Sequence, residues 1–214
     1  MKITNSRVVA ALVFAALCAV YANAQKISAE EQKIVSYVDA NFESAVALLE
    51  KTVNVESATE NLTGVRQYGM LFKQEFDALG FATKWIEMPP EMKRAGHLLA
   101  EKKGTKGKRV LLLGHLDTVL TGEKFRRDGT RAYGTGASDM KAGNLVLFYA
   151  LRALHATGAL RDAQVMVLLT GDEENSGEPE AISRRDMIEA ARRSDVALSF
   201  ENGGGNIATV ARRG

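Results

Sequence analysis

The sequence predicts an α/β domain with a mostly parallel sheet flanked by helices. Three observations carry that reading. Short apolar runs bounded by glycine or charge, at Arg109–Leu113, Gln164–Leu169 and Asp195–Phe200, have the length and continuity of buried strands. Helix-length segments with apolar residues at three- and four-residue spacing separate them. The alternation of the two is the pattern of βαβ units.

Taken in order, residues 28–50 read as one helix. Ser28 with Glu31 three residues later has capping-box spacing, and Ile34, Val38, Phe42, Val46 and Leu49 share a face. Thr63–Leu79 is a second helix, with Leu71, Phe72, Phe76 and Leu79 inward and Gly80 as its stop. Thr83–Met88 reads as a strand ended by Pro89-Pro90. His97–Glu101 is another, followed by a polar turn over Gly104–Lys108. Arg109–Leu113 is the first fully buried strand. Lys124–Tyr133 is a small hairpin around Asp128-Gly129. Ala142–Thr157 is an apolar helix closed by Gly158, Gln164–Leu169 a strand, Pro179–Arg193 an amphipathic helix, and Asp195–Phe200 a strand. Asn206–Ala211 begins a further strand.

The 214 residues are 46% hydrophobic and 25% charged, a globular composition that excludes a disordered or fibrous chain. Formal net charge is +2 with both signs interspersed and no long basic run, so nucleic acid is not an expected partner. Lys2 and Arg7 precede an apolar stretch, Val8–Val20, and then Ala22-Asn23-Ala24. That is the pattern of a signal peptide over residues 1–24, cleaved before Gln25. The stretch is short for a bilayer span, which takes about 20 residues, so no membrane anchor is expected after cleavage. Cys18, the single cysteine, leaves with it, as does the +2 charge, which suits a periplasmic or secreted protein.

Chemistry concentrates at the strand ends. His115 follows one buried strand, Glu173 and Glu174 the next, and Glu201 the third; Asp139 lies in the loop entering the helix at Ala142. Ligands of open α/β sheets bind at the carboxyl ends of strands, so these groups converge on one rim. Imidazole with several carboxylates suits zinc, and cobalt or manganese suits the same donors. Asp117, two residues after His115, points the same way along extended chain and can hold the imidazole's other N–H. Glu173 and Glu174 alternate in direction, so one can bind metal while the other serves as general base. A bridging carboxylate would allow a two-metal site. His97, inside a strand pattern, and His155, near a helix end, carry no ligand role.

The runs Gly114-His115-Leu116-Asp117-Thr118-Val119, Tyr133-Gly134-Thr135-Gly136-Ala137-Ser138-Asp139-Met140-Lys141 and Asp172-Glu173-Glu174 resemble the motifs of the zinc peptidase-like family of di-zinc metallohydrolases. That family includes glutamate carboxypeptidase, aminoacylase, acetylornithine deacetylase and succinyl-diaminopimelate desuccinylase, and Ser199-Phe200-Glu201 resembles the glutamate carboxypeptidase branch. The resemblance implies His115 on one zinc, Asp139 bridging, Glu174 on the other and Glu201 as fourth ligand. It makes Asp117 the residue that orients the histidine and Glu173 the general base. The implied reaction is hydrolysis of a peptide bond near a free carboxylate or of an N-acyl amino acid. A homodimer is implied for a full-length parent. Family members carry a lid or dimerisation domain and a later histidine ligand, whereas none of the three histidines here follows His155. Residues 25–214 are therefore expected to be the N-terminal portion of such a catalytic domain, binding one metal poorly, a second worse, and nearly inactive. The competing expectation is a non-catalytic remnant that binds metal or a partner without turnover.

Overall fold

The computed structural model describes residues 27–203. The signal-peptide reading and the strand expected over Asn206–Ala211 lie outside the described residues. The N-terminal region is two helices where one was expected: α1 (Ala29–Ala40) and α2 (Phe42–Val53). Asn41 leaves the helical region at φ −109°, ψ 12°, and its Nδ2 donates to Tyr37 O at 2.8 Å, capping the last turn of α1. The break turns Phe42, expected inward, to 55% exposure, and α1 buries none of its side chains fully. The capping box forms as read: Ser28 Oγ accepts from Glu31 N–H, and the Glu31 carboxylate accepts from Ser28 N–H.

Helix α3 (Leu62–Ala78) is capped by Asn61, whose Oδ1 accepts from Gly64 N–H at 3.1 Å. It buries Val65, Tyr68, Phe72 and Phe76 along one stripe. Phe72 and Phe76 meet Phe148 of α4 (Ala142–Ala156) edge to face, at centroid separations of 5.9 and 5.6 Å.

The sheet contains β1 (Ala82–Ile86), β2 (His97–Lys102), β3 (Lys106–His115), β6 (Ala163–Thr170) and β7 (Val196–Ser199), in the order β1-β2-β6-β3-β7. β3 pairs in parallel with β6 and β7, while β2 is antiparallel to both its neighbours, so β1, β3, β6 and β7 share a direction. No helix returns the chain to the same end between β1 and β2, and they pair as a hairpin must. A separate hairpin, β4 (Arg126–Asp128) with β5 (Arg131–Tyr133), turns at Gly129, which has φ +56°.

Both faces of the sheet are covered. Leu112, Val165, Val167 and Leu169 join the core under α2, α3 and α4; Leu111, Met166 and Leu168 pack against Ala190. Ala190 belongs to α6 (Arg185–Arg192), which follows the single turn α5 (Glu180–Ser183). One helix was expected here. Ser183 is buried, its hydroxyl donating to Asp172 Oδ2 at 2.6 Å and its carbonyl lying 3.3 Å from His97 Nε2, so that carbonyl serves the loop contact rather than a helical ladder. The carboxyl ends of β3, β6 and β7 open on a common rim.

Candidate metal centre

His115 ends β3 and is 1% exposed. Its main chain is held from both sides: the N–H donates to Met140 Sδ at 3.2 Å, and the carbonyl accepts from Asn144 Nδ2 at 2.6 Å. A Cβ on Gly114 would lie 2.1 Å from Asn144 Oδ1, so the glycine is what lets α4 approach the strand end. The imidazole Nδ1 faces Asp117 O at 3.0 Å and Asp117 Oδ1 at 3.5 Å. Nε2 faces Asp139 Oδ1 at 3.1 Å and Glu201 Oε1 at 3.6 Å. Burial pulls the imidazole pKa down, but Asp117 and Glu201 override it and hold it at about 11.

Asp117 is also buried, and its carboxylate is saturated with donors. Oδ2 accepts from Thr59 Oγ1 at 2.7 Å and Glu174 N–H at 3.0 Å, and Oδ1 accepts from Glu173 N–H at 3.0 Å. Asp117 was expected to hold the imidazole N–H; the nearest acceptor for that nitrogen is Asp117's carbonyl at 3.0 Å, while its carboxylate holds the backbone of the acid pair. The same loop is braced from beneath by Asp172, whose Oδ2 accepts from Gly177 N–H at 2.9 Å as well as from Ser183. His97 completes the brace, with Nδ1 accepting from Gly171 N–H at 3.1 Å. His97 is thus a structural support, and His155 stands exposed in the last turn of α4, as the sequence suggested.

Asp139 lies in a π-turn, Ala137–Lys141, in extended conformation (φ −124°, ψ 100°), which turns its carboxylate toward His115. Lys141 beside it is fully buried. Its ammonium donates to Thr52 O and Val55 O at 3.1 and 2.7 Å and lies over the Tyr68 ring, so the turn is pinned to the end of α2. Burial lowers its pKa to about 8. Glu201 follows β7. A Cβ on Gly143 would meet Phe200 O at 2.1 Å, and Ser138 Oγ donates to Asn202 Oδ1 at 2.9 Å. These two contacts bring the segment after β7 against the Asp139 turn.

All six residues singled out from the sequence therefore gather at one rim. Donor atoms of His115, Asp139 and Glu201 lie within 4.8 Å of one another, and so do those of His115, Glu173 and Glu174. Loss of solvation raises the pKa of Glu173 and of Glu174; Glu201 and Asp117 raise Glu173 further, and Asp139 raises Glu174. Crowded carboxylates around one imidazole are a donor set that a divalent cation of zinc type satisfies, because it relieves their mutual repulsion. Thr59 and Asn144 carried no sequence signal, and Lys141 and Asp172, though inside the recognised runs, were assigned no supporting role. A buried lysine or threonine carries no periodic signal, and their partners lie far away in the chain.

A mostly parallel sheet with imidazole and carboxylates at its carboxyl rim is an α/β architecture carrying a candidate metal-ligand set. Residues 111–211 match the model of Peptidase family M20/M25/M40. It is 34% identical over 169 residues to carboxypeptidase G2 of Pseudomonas sp. (strain RS-16), covering 74% of this chain and 38% of that enzyme. It is 30% identical over 165 residues to succinyl-diaminopimelate desuccinylase of Delftia acidovorans (strain DSM 14801 / SPH-1), covering 72% of this chain and 41% of that enzyme. Similar solved folds include human carnosine dipeptidase 1 (TM-score 0.67, 20% identity, 80% of this chain and 41% of that one). The M20 family metallo-carboxypeptidase Sso-CP2 from Sulfolobus solfataricus is another (TM-score 0.60, 18% identity, 74% and 37%). The chain spans about two-fifths of the length of these curated relatives.

Proposed function

We propose that the chain supplies the metal-binding portion of an amide hydrolase that works with two zinc ions, acting on a small peptide or an N-acyl amino acid. The observation that supports this most is the position of His115, within ligand reach of Asp139 and Glu201 on one side and of Glu173 and Glu174 on the other. In this reading His115, Asp139, Glu174 and Glu201 would hold the metal. Bound zinc supplies a Lewis acid that polarises the scissile carbonyl and acidifies water. Asp117 fixes the imidazole by accepting its Nδ1–H. Glu173, whose pKa is raised by loss of solvation and by Glu201 and Asp117, takes a proton from the attacking water and delivers it to the leaving nitrogen as the C–N bond breaks. The names of the carboxypeptidase and desuccinylase relatives favour a substrate with a free carboxylate near the scissile amide. The signal-like residues 1–24 support export to a periplasmic or secreted location. Among the described residues no helix is long and apolar enough to cross a membrane.

The test is Glu173→Gln, assayed in protein that turns over an N-acyl or C-terminal-glutamate substrate. Zinc content stays at the wild-type value while turnover falls by roughly 10²-fold or more, the usual contribution of a positioned base. Retained turnover removes Glu173 from the base role, and lost zinc makes it a ligand instead.

A further inference from the structure

The segment between α2 and α3 reaches the centre through one side chain that the family motifs do not include. Ala58 bridges in parallel to Thr118, Thr118 N–H donates to Ser57 O at 2.9 Å, and Thr59 N–H donates to Thr118 O at 3.2 Å. This short ladder lays residues 57–59 beside the strand end and buries Thr59 at 5% exposure. Its hydroxyl donates to Asp117 Oδ2 at 2.7 Å, the shortest of the three hydrogen bonds that carboxylate accepts.

The three donors make Asp117 a junction. Its carboxylate ties the end of β3, which carries His115, to the loop after β6, which carries Glu173 and Glu174. A carboxylate on a short side chain can rotate about its terminal torsion. The two loop amides approach opposite oxygens, and the Thr59 hydroxyl supplies the third point that sets the plane. We propose that Thr59 is a positioning residue, which through Asp117 sets the separation between the metal-binding histidine and the Glu173-Glu174 pair. The zinc consequence rests on the metalloenzyme reading above; the structural consequence does not.

Two variants separate the hydroxyl from the shape of the side chain. Thr59→Val keeps volume, branching and the main-chain ladder to Thr118, and removes only the donor. Thr59→Ser keeps the donor. On chelator-treated protein, hydrogen exchange at the Glu173 and Glu174 amides speeds at least about ten-fold in Thr59→Val relative to the β6 amides and returns to the wild-type pattern in Thr59→Ser. On zinc titration, affinity falls roughly 10- to 100-fold in Thr59→Val and recovers in Thr59→Ser, as expected for a partner that orients ligands. A purely structural threonine predicts no such rescue, since its ladder is intact in both variants. Unchanged exchange in Thr59→Val, or failure of Thr59→Ser to restore it, overturns the proposal. If Thr59→Val does not fold, the wild type decides: Glu173 and Glu174 amides protected like β6 support the junction, and amides exchanging like an exposed loop overturn it. Wild-type protein that binds no zinc sinks the metalloenzyme reading, and the exchange comparison still decides Thr59.

Discussion

At the scale of the residue, the site is a set of buried polar groups mostly paired with one another, with Asn144 Oδ1 and Asp172 Oδ1 left without a hydrogen-bond partner. His115 presents both ring nitrogens to oxygens, and its pKa is held at about 11 against an ordinary 6.5. The metal-free folded chain therefore keeps a proton that the unfolded chain has released, so the stabilisation is complete below about pH 6.5 and fades toward pH 11. Lys141 acts in the opposite sense but only above about pH 8, since its folded pKa is lowered to about 8 from 10.5. Between pH 6.5 and 8 the histidine dominates, with Lys141 beginning to offset it near pH 8. Chelator-treated protein loses roughly 1 kcal/mol of unfolding free energy across that window. Urea unfolding at the two pH values reads the loss, and His115→Asn flattens it. A wild type with equal stability at both would mean that His115 is neutral in the folded chain. The site residues were legible because they follow apolar strands at once. Thr59 and Lys141 were not, because their roles depend on partners 58 and nearly 90 positions away.

At the scale of the element, apolar continuity made β3 and β6 readable from sequence, each within a few residues of its observed ends. The helices that broke did so for local polar reasons invisible to periodicity. Asn41 caps α1 with its own side chain, and Ser183 leaves its helix to serve Asp172 and His97. Two elements meet at Gly143, where only the absence of a Cβ lets the first turn of α4 touch Phe200 O. Gly143→Ala forces the segment after β7 outward and moves Glu201 from His115. Overpacking of this kind costs about 1–3 kcal/mol. The sharper expectation is a drop in zinc affinity of roughly ten-fold or more, measured by competition with a chromogenic chelator. Wild-type affinity in Gly143→Ala would take Glu201 out of the ligand set.

At the scale of the whole molecule, a five-stranded sheet with four strands sharing a direction delivers His115, the acid pair and Glu201 to one rim, and the turn before α4 adds Asp139. The alternation of strands and helices announced that layout, and the mixed edge formed by β1 and β2 was the part it left out, since a hairpin and a crossover share the same apolar runs. The match over residues 111–211 and the carboxypeptidase and desuccinylase relatives agree with the layout in family. The proposed function requires this rim to bind metal through His115. The direct test is calorimetric zinc titration of the chelator-treated chain beside His115→Ala, with far-ultraviolet circular dichroism confirming that both are folded. Saturable binding of one or two zinc ions by the wild type, lost in His115→Ala, is the result predicted. A folded wild type that takes up no zinc, or a His115→Ala variant that binds it equally well, would contradict the account.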